Sequence, residues 1–223
     1  MGGYVPPQGA PMEPLFTGLP AGSLLWRCHV DQYAVGEFNP VPAHEFFKGS
    51  RFDSTEKDPY PYLYAALDPV TALAEVLLRS VEYGTRPGGG GGPEIVRQIP
   101  WAQASRYVLS AVRTVEEVRL VDLTTAEGLA AVWQDDWLVT SMDYAQTRYW
   151  VRLIREHSPS AQGLCWGSKR CLPRRALQLF GDRAGGVLEP RPQECHRLDS
   201  AAGLREVNRL LAPLHAVVSE PGD

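Results

Sequence analysis

Glu75 stands in the apolar run "ALAEVLL". A glutamate on a helix is ordinarily solvated. Here apolar neighbours on both sides place the carboxylate at the edge of a packed surface. The same segment follows directly on a strand that bears Tyr64, so the two side chains could share one cleft. A carboxylate in such a place can stabilise a developing cation or orient a nucleophile. Arg27 in "LLWRCHV" and Arg51 in "GSRFDS" lie in or beside strand-like segments with aromatic flanks. An arginine at a strand end either projects into solvent or offers its planar fork to a phosphate or carboxylate, and residue type alone leaves both readings open. Ser168 follows a glycine in "CWGSKR", the ordinary setting of a turn serine. There is no Gly-x-Ser-x-Gly elbow and no Asp/His pair stands out as its partners, so serine-hydrolase chemistry is poorly supported. Its hydroxyl and the adjacent amides could instead hold a phosphate.

Other candidates carry less. The five histidines, His29, His44, His157, His196 and His215, form no His-x-x-x-His or His-Glu-x-x-His pair, so no metal is assigned. Cys28, Cys165, Cys171 and Cys195 include no Cys-x-x-Cys spacing and read as free, partly buried thiols. The basic run "SKRCLPRR" reads as a solvated turn before it reads as a nucleic-acid contact. Five consecutive glycines, Gly88 to Gly92, lead into the strand-like "EIVRQIP" and are not followed by Gly-Lys-Ser/Thr. A flexible linker is therefore expected in place of a phosphate loop.

These residues need elements to position them. "SLLWRCHV" has the composition of a first strand, and the segment up to Phe52 mixes turn residues with aromatics, with a short strand expected near Phe52. "PYLYAAL" reads as a strand. In "DPVTALAEVLLRSVEY", Asp68 can cap a helix and Pro69 suits its first position, while Val70, Leu73, Ala74 and Leu77 form the buried stripe. "RYVLSAVRTVEEVRLVDLT" is strand material, "TAEGLAAVW" a short helix, and "YAQTRYWVRLIREH" an amphipathic helix. "AQGLCWGSKR" and "RALQLFGDR" add strands. From Asp199, a C-terminal helix carries Leu204, Val207, Leu211 and Leu214 on one side, a face that could pack on its own domain or on a second copy in a homodimer. Strands and helices mix without regular βαβ alternation, which argues for an α+β class. The expected organisation is a flexible Gly/Pro-rich tail over 1–20, one domain over 21–198 with a flexible loop at 84–93, and a helical extension over 199–223.

The 223 residues fit one generous domain, and an apolar content of 44% can bury a substantial core. A formal charge of −4 disfavours direct non-specific nucleic-acid binding, which needs a cationic face. No apolar run is long enough to span a bilayer, and the N-terminal stretch lacks a basic start and an apolar stretch like those of a secretory signal. A cytoplasmic location without membrane attachment is the expectation.

Taken in order, several blocks resemble the RES-domain family, which is named for an arginine, a glutamate and a serine spread along the domain. They are "WR" at Trp26-Arg27, "GSRF" with Arg51, "YAALDPVTALAEVL" with Tyr64 and Glu75, "YAQTRYWVRLI", "QGLCWGSKR" with Ser168, and "ALQLFGDR". The likeness covers roughly Leu24 to Arg183. It departs where Ser50, Phe52 and Asp53 stand in place of the family's usual Gly, Trp and Asn. The resemblance implies an ADP-ribosyltransferase-like fold, similar to diphtheria toxin, with mixed central sheets flanked by helices. It implies an enzyme that consumes NAD+ as substrate, with no cofactor, breaking the nicotinamide–ribose bond by phosphorolysis, with inorganic phosphate as co-substrate, or by hydrolysis. It further implies the toxin of a toxin–antitoxin pair, partnered by an Xre-type antitoxin that occludes the site. By position in the family's motifs, Arg27, Arg51, Tyr64, Glu75 and Ser168 would form the NAD+ site, with Glu75, Arg51 and Tyr64 catalytic. Transfer of ADP-ribose to a protein, a non-enzymatic nucleotide-binding module, and a biosynthetic or signalling enzyme acting on NAD+ or a related nucleotide are the alternatives.

Overall fold

A computed structural model describes residues 11–87 and 92–222. Its strands are β1 (Phe16–Leu19), β2 (Leu24–Val30), β3 (Tyr62–Ala66), β4 (Gly84–Pro87), β5 (Pro93–Ile99), β6 (Tyr107–Thr114), β7 (Val118–Leu123), β8 (Gly163–Gly167), β9 (Arg175–Phe180), β10 (Leu188–Arg197) and β11 (Ala216–Val218). The helices are α1 (Pro69–Leu77), α2 (Trp101–Ala104), α3 (Ala126–Ala131), α4 (Trp137–Thr140), α5 (Tyr144–His157), α6 (Gly181–Ala184) and α7 (Ala201–Leu211). The fold is mixed α+β, as expected, with a large sheet in the order β1-β7-β8-β9-β3-β2-β6-β10 and a small one in the order β11-β5-β4.

The large sheet is nearly split in two. β2 pairs with β6 along its whole length, from Leu24↔Arg113 to Val30↔Tyr107, and β3 pairs with β9 from Tyr62↔Phe180 to Ala66↔Ala176. Between them β2 and β3 share one register pair, Trp26↔Ala66, and then part. Beyond that pair, Tyr62 turns to Asn39 instead, through the bridge Asn39↔Tyr62. The parting opens a cleft with α1 at its side.

α1 forms where the sequence asks for it. The Asp68 carboxylate accepts from the Thr71 amide at 3.0 Å, satisfying one of the first-turn N–H groups, and Pro69 occupies the start of the helix. Leu73, Ala74 and Leu77 are fully buried against Ile99, Leu109, Val207 and Leu211. Each buried leucine contributes on the order of 1.5–3 kcal/mol, so the helix is firmly anchored on one side and free to present Glu75 on the other. A second cluster packs Phe52, Trp166 and Phe180 with Trp150, Val151 and Ile154 of α5. The opposite face of the sheet buries Leu25, Leu63, Val112, Leu177 and Leu179.

Four segments differ from the sequence expectation. The supposed tail is ordered where it is described: β1 pairs with β7 and Met12 is buried, because Phe16–Leu19 can extend the edge of the sheet. Residues 1–10 lie outside the described residues. The expected loop at 84–93 is at its ends the hairpin β4–β5, from Gly84↔Val96 to Pro87↔Pro93, with Gly88–Gly91 outside the described residues. Phe52 sits in a buried turn and not in a strand. The C-terminal helix stops at Leu211, and the chain turns through Ala212–Leu214 into β11, which lies parallel to β5. β10 had no clear sequence signal, since Pro190 and Pro192 interrupt it; prolines are tolerated there because β10 is an edge strand paired only with β6.

Asp68→Ala should lower stability by roughly 1 kcal/mol through loss of the cap. A fall in the urea midpoint with an unchanged slope is the expected result, and an unchanged midpoint would show that the cap is dispensable.

Candidate functional site

The cleft holds a cavity of about 570 Å³ whose walls include Arg27, Arg51, Tyr64 and Glu75. Four of the five residues singled out in the sequence therefore meet, although they are distributed over β2, a turn, β3 and α1. That volume lies within the range of small-molecule sites.

The fifth residue, Ser168, is behind the wall. It follows β8 and opens a tight turn, in which its amide donates to the Arg174 carbonyl at 2.8 Å and its own carbonyl accepts from the Cys171 amide at 3.1 Å. The residue is fully buried. Its hydroxyl donates to Glu75 Oε1 at 2.5 Å and accepts from the Arg170 amide at 3.3 Å. A hydroxyl bonded this tightly to a carboxylate fixes the carboxylate's orientation. Glu75 Oε2 is left with Arg170 Nη1 at 3.5 Å, a loose ion pair. One oxygen of Glu75 is thus fixed and the other is weakly engaged on the cavity side.

Arg27 and Arg51 are less free than their sequence setting suggests. Arg27 Nη1 donates to the carbonyls of Ala34, at 3.3 Å, Val35, and Glu37, at 3.2 Å. Burial pushes its guanidinium down to about 10, a shift that the nearby Glu37 partly opposes. Arg51 Nη1 donates to the Val139 carbonyl, and Nη2 to that of Ser141 at 3.1 Å. Burial lowers its affinity for the proton too, with Tyr144 and Glu75 acting the other way. Lys169 Nζ takes the carbonyl between, Thr140, at 2.7 Å. Two cations thus cap the last carbonyls of α4, where the helix dipole favours positive charge. Among the described residues, the Nε of Arg27 and of Arg51 is buried without a partner.

Tyr64 is committed at its hydroxyl, which accepts from the Phe52 amide at 3.0 Å and donates to Asp53 Oδ1 at 2.9 Å. The ring, set edge-on to Trp166 at 6.2 Å, is the part that faces the cavity. Asp53 Oδ2 accepts from the Ser50 amide at 2.6 Å. Burial raises the Asp53 carboxyl above the ordinary aspartate range in spite of the hydrogen bonds from Ser50 and Tyr64. Burial, reinforced by Asp53, holds the Tyr64 phenol well above its usual value.

Sequence reasoning missed Asp53, Arg79 and Arg170, all of which line the cavity. Arg170 had a signal, its place two residues after Ser168, but the run "SKRCLPRR" reads as a solvated turn. Arg79 lies one turn beyond Glu75, on the same side of α1's continuation, and that spacing could have drawn notice. Asp53 had none, because its burial depends on the aromatic cluster around it. Arg27, Arg51, Arg79 and Arg170 face two carboxylates, Asp53 and Glu75, so the cavity walls carry a formal excess of two positive charges on a chain of net charge −4. Such a site suits an anionic ligand. Among the described residues, no group of three or more His, Cys, Asp or Glu is placed to hold a metal ion. No helix among them is long and apolar enough to cross a membrane.

The architecture is that of a mixed α+β domain with a cationic cleft where its sheet divides. The profile of the RES domain matches residues 24–199, and the chain belongs to the RES-domain family. No curated protein sequence matches it. Among solved structures, a chain of the crystal structure of the M. tuberculosis MbcT–MbcA toxin–antitoxin complex has the same fold, with a TM-score of 0.56 at 14% identity over 85% of this chain and 91% of that one.

Asp53→Asn tests the charge balance. A carboxyl whose folded value lies above its unfolded one binds more protons in the native state, so its contribution to stability falls as pH rises through the window between the two. The stability of Asp53→Asn relative to the native sequence should therefore increase from acid conditions to neutrality. A difference that is flat with pH, in denaturant titrations at several pH values, would refute this account of the carboxyl.

Proposed function

We propose that the chain cleaves NAD+ at the nicotinamide–ribose bond and acts as the toxin of a toxin–antitoxin pair. The observation that carries the reading is the Glu75 carboxylate, held at one oxygen by buried Ser168, on the wall of a cavity with an excess of arginines. Membership of the RES-domain family supports it, as does the fold shared with a toxin–antitoxin complex.

The residue types suit the reaction. Nicotinamide leaves as a neutral ring from a cationic one, taking the C1′–N bonding pair, so no strong general acid is required. The ribose develops oxocarbenium character at C1′. Glu75, oriented by Ser168, stabilises that charge and accepts from a ribose hydroxyl or from the incoming nucleophile. An oxygen of phosphate then bonds to C1′ to give ADP-ribose 1″-phosphate, or a water oxygen does so with loss of its proton to give ADP-ribose. The Tyr64 ring packs against the nicotinamide or its ribose. Arg27 and Arg51 supply positive potential and hold the loops that frame the cleft. The antitoxin is a protein that covers the cleft mouth, and an Xre-type DNA-binding protein fits that role.

Product analysis by mass spectrometry, with and without inorganic phosphate, tests the reading and separates the two acceptors. Glu75→Gln should slow nicotinamide release by about 10²–10³. Turnover near that of the native chain would overturn the assignment. Ser168→Ala should slow it less, because the carboxylate remains but loses its fixed orientation.

A further inference from the structure

We infer that Arg79 and Arg170 form the phosphate-anion site of the cleft. The inference rests on the nucleotide reading above and assigns the part of the ligand that the reading leaves without a partner. Four arginines line the cavity, but they are not equivalent. Arg27 Nη1 and both terminal nitrogens of Arg51 are already on main-chain carbonyls, so at those atoms a phosphate would compete with existing bonds.

Arg79 is exposed, and among the described residues it has no carboxylate within ion-pair distance. Its one side-chain hydrogen bond runs from Nη1 to the Ser50 hydroxyl at 3.2 Å. Arg170 sits directly against it, with Nη2 donating to the Arg79 carbonyl at 3.3 Å. The side chain of Arg170 is only 10% exposed, and among the described residues its one carboxylate partner is Glu75, at 3.5 Å. Both side chains line the same cavity and Glu75 is the one carboxylate recorded as paired with either among the described residues, so an anion entering there gains two cationic partners. The Ser50 hydroxyl accepts from Arg79, which leaves its own proton to donate to a phosphoryl oxygen. Because Arg170 also reaches Glu75, an anion held here lies next to the reacting carboxylate.

The phosphoryl group could belong to the pyrophosphate of a dinucleotide or be free inorganic phosphate. Calorimetric titration of the full chain with ADP-ribose, inorganic phosphate and nicotinamide riboside, which has no phosphate, distinguishes them. Arg79→Ala should weaken the ligand held here at least tenfold, Arg79→Lys should recover part of the loss, and nicotinamide riboside should bind unchanged. Loss confined to ADP-ribose assigns the pyrophosphate; loss confined to inorganic phosphate assigns the acceptor. The site is refuted if Arg79→Ala and Arg170→Lys both bind ADP-ribose and phosphate as the native chain does, or if the native chain binds neither. It is also refuted if riboside binding falls equally, since that marks general damage to the cleft. Binding is measured apart from turnover. A chain that binds ADP-ribose through Arg79 yet releases no nicotinamide would overturn the proposed reaction and leave this site standing.

Discussion

One backbone pairing governs the molecule. Trp26↔Ala66 is the only register pair between β2 and β3, although each strand is fully paired on its other side. Had the two strands zipped together in that register, the sheet would be continuous, with Arg27 opposite Ala65 and Cys28 opposite Tyr64 in a closed ladder. Because they part, strand edges and side chains from both halves look into a common space. The candidate site is arranged around that opening. Helix α1 brings Glu75 to its side, the turn after β8 brings Ser168 behind Glu75, and the turn at Phe52 brings Arg51 and Asp53.

The cleft also shows how a cationic site is kept from flying apart. Buried arginines are more tolerable when their donors find acceptors, and carbonyl oxygens engage Arg27 Nη1 and both terminal nitrogens of Arg51 without cancelling their charge. Carboxylate partners would have neutralised them. Carbonyls leave a standing positive potential inside a low-dielectric wall, where it acts strongly on an anion. The same bonds brace the loops at residues 34–37 and the end of α4, so the charge and the scaffold are built from the same contacts.

Legibility followed the range of the forces involved. Helix α1 was readable because its determinants are local: the Asp68 cap, Pro69 and the Leu73/Leu77 spacing. The strands around Arg27 and Tyr64 were readable from aromatic and branched composition. Glu75 stood out because a charge in an apolar stripe violates a local pattern. What failed was non-local. β11 is too short to declare itself and is a strand only because β5 lies beside it. Ser168 looked like an ordinary turn serine, and its bond to Glu75 spans 93 positions of sequence. The commitment of Arg27 and Arg51 to carbonyls could not be inferred from residue types at all. The glycine-rich stretch misled because its ends had partners that composition does not reveal.

The packing of α1 against α7 has a temporal side. Leu73 and Leu77 are buried partly by Val207 and Leu211, more than a hundred residues later in the chain. Contacts this distant in sequence form late and slowly. During synthesis, the helix that carries Glu75 can pack on Ile99 and Leu109 first, but the part of its backing that comes from Val207 and Leu211 waits for α7, and the small sheet beside α7 waits for Val218. A nascent chain therefore holds the pieces of its cleft with only part of their support, and the packing behind Glu75 is completed as translation passes the last helix.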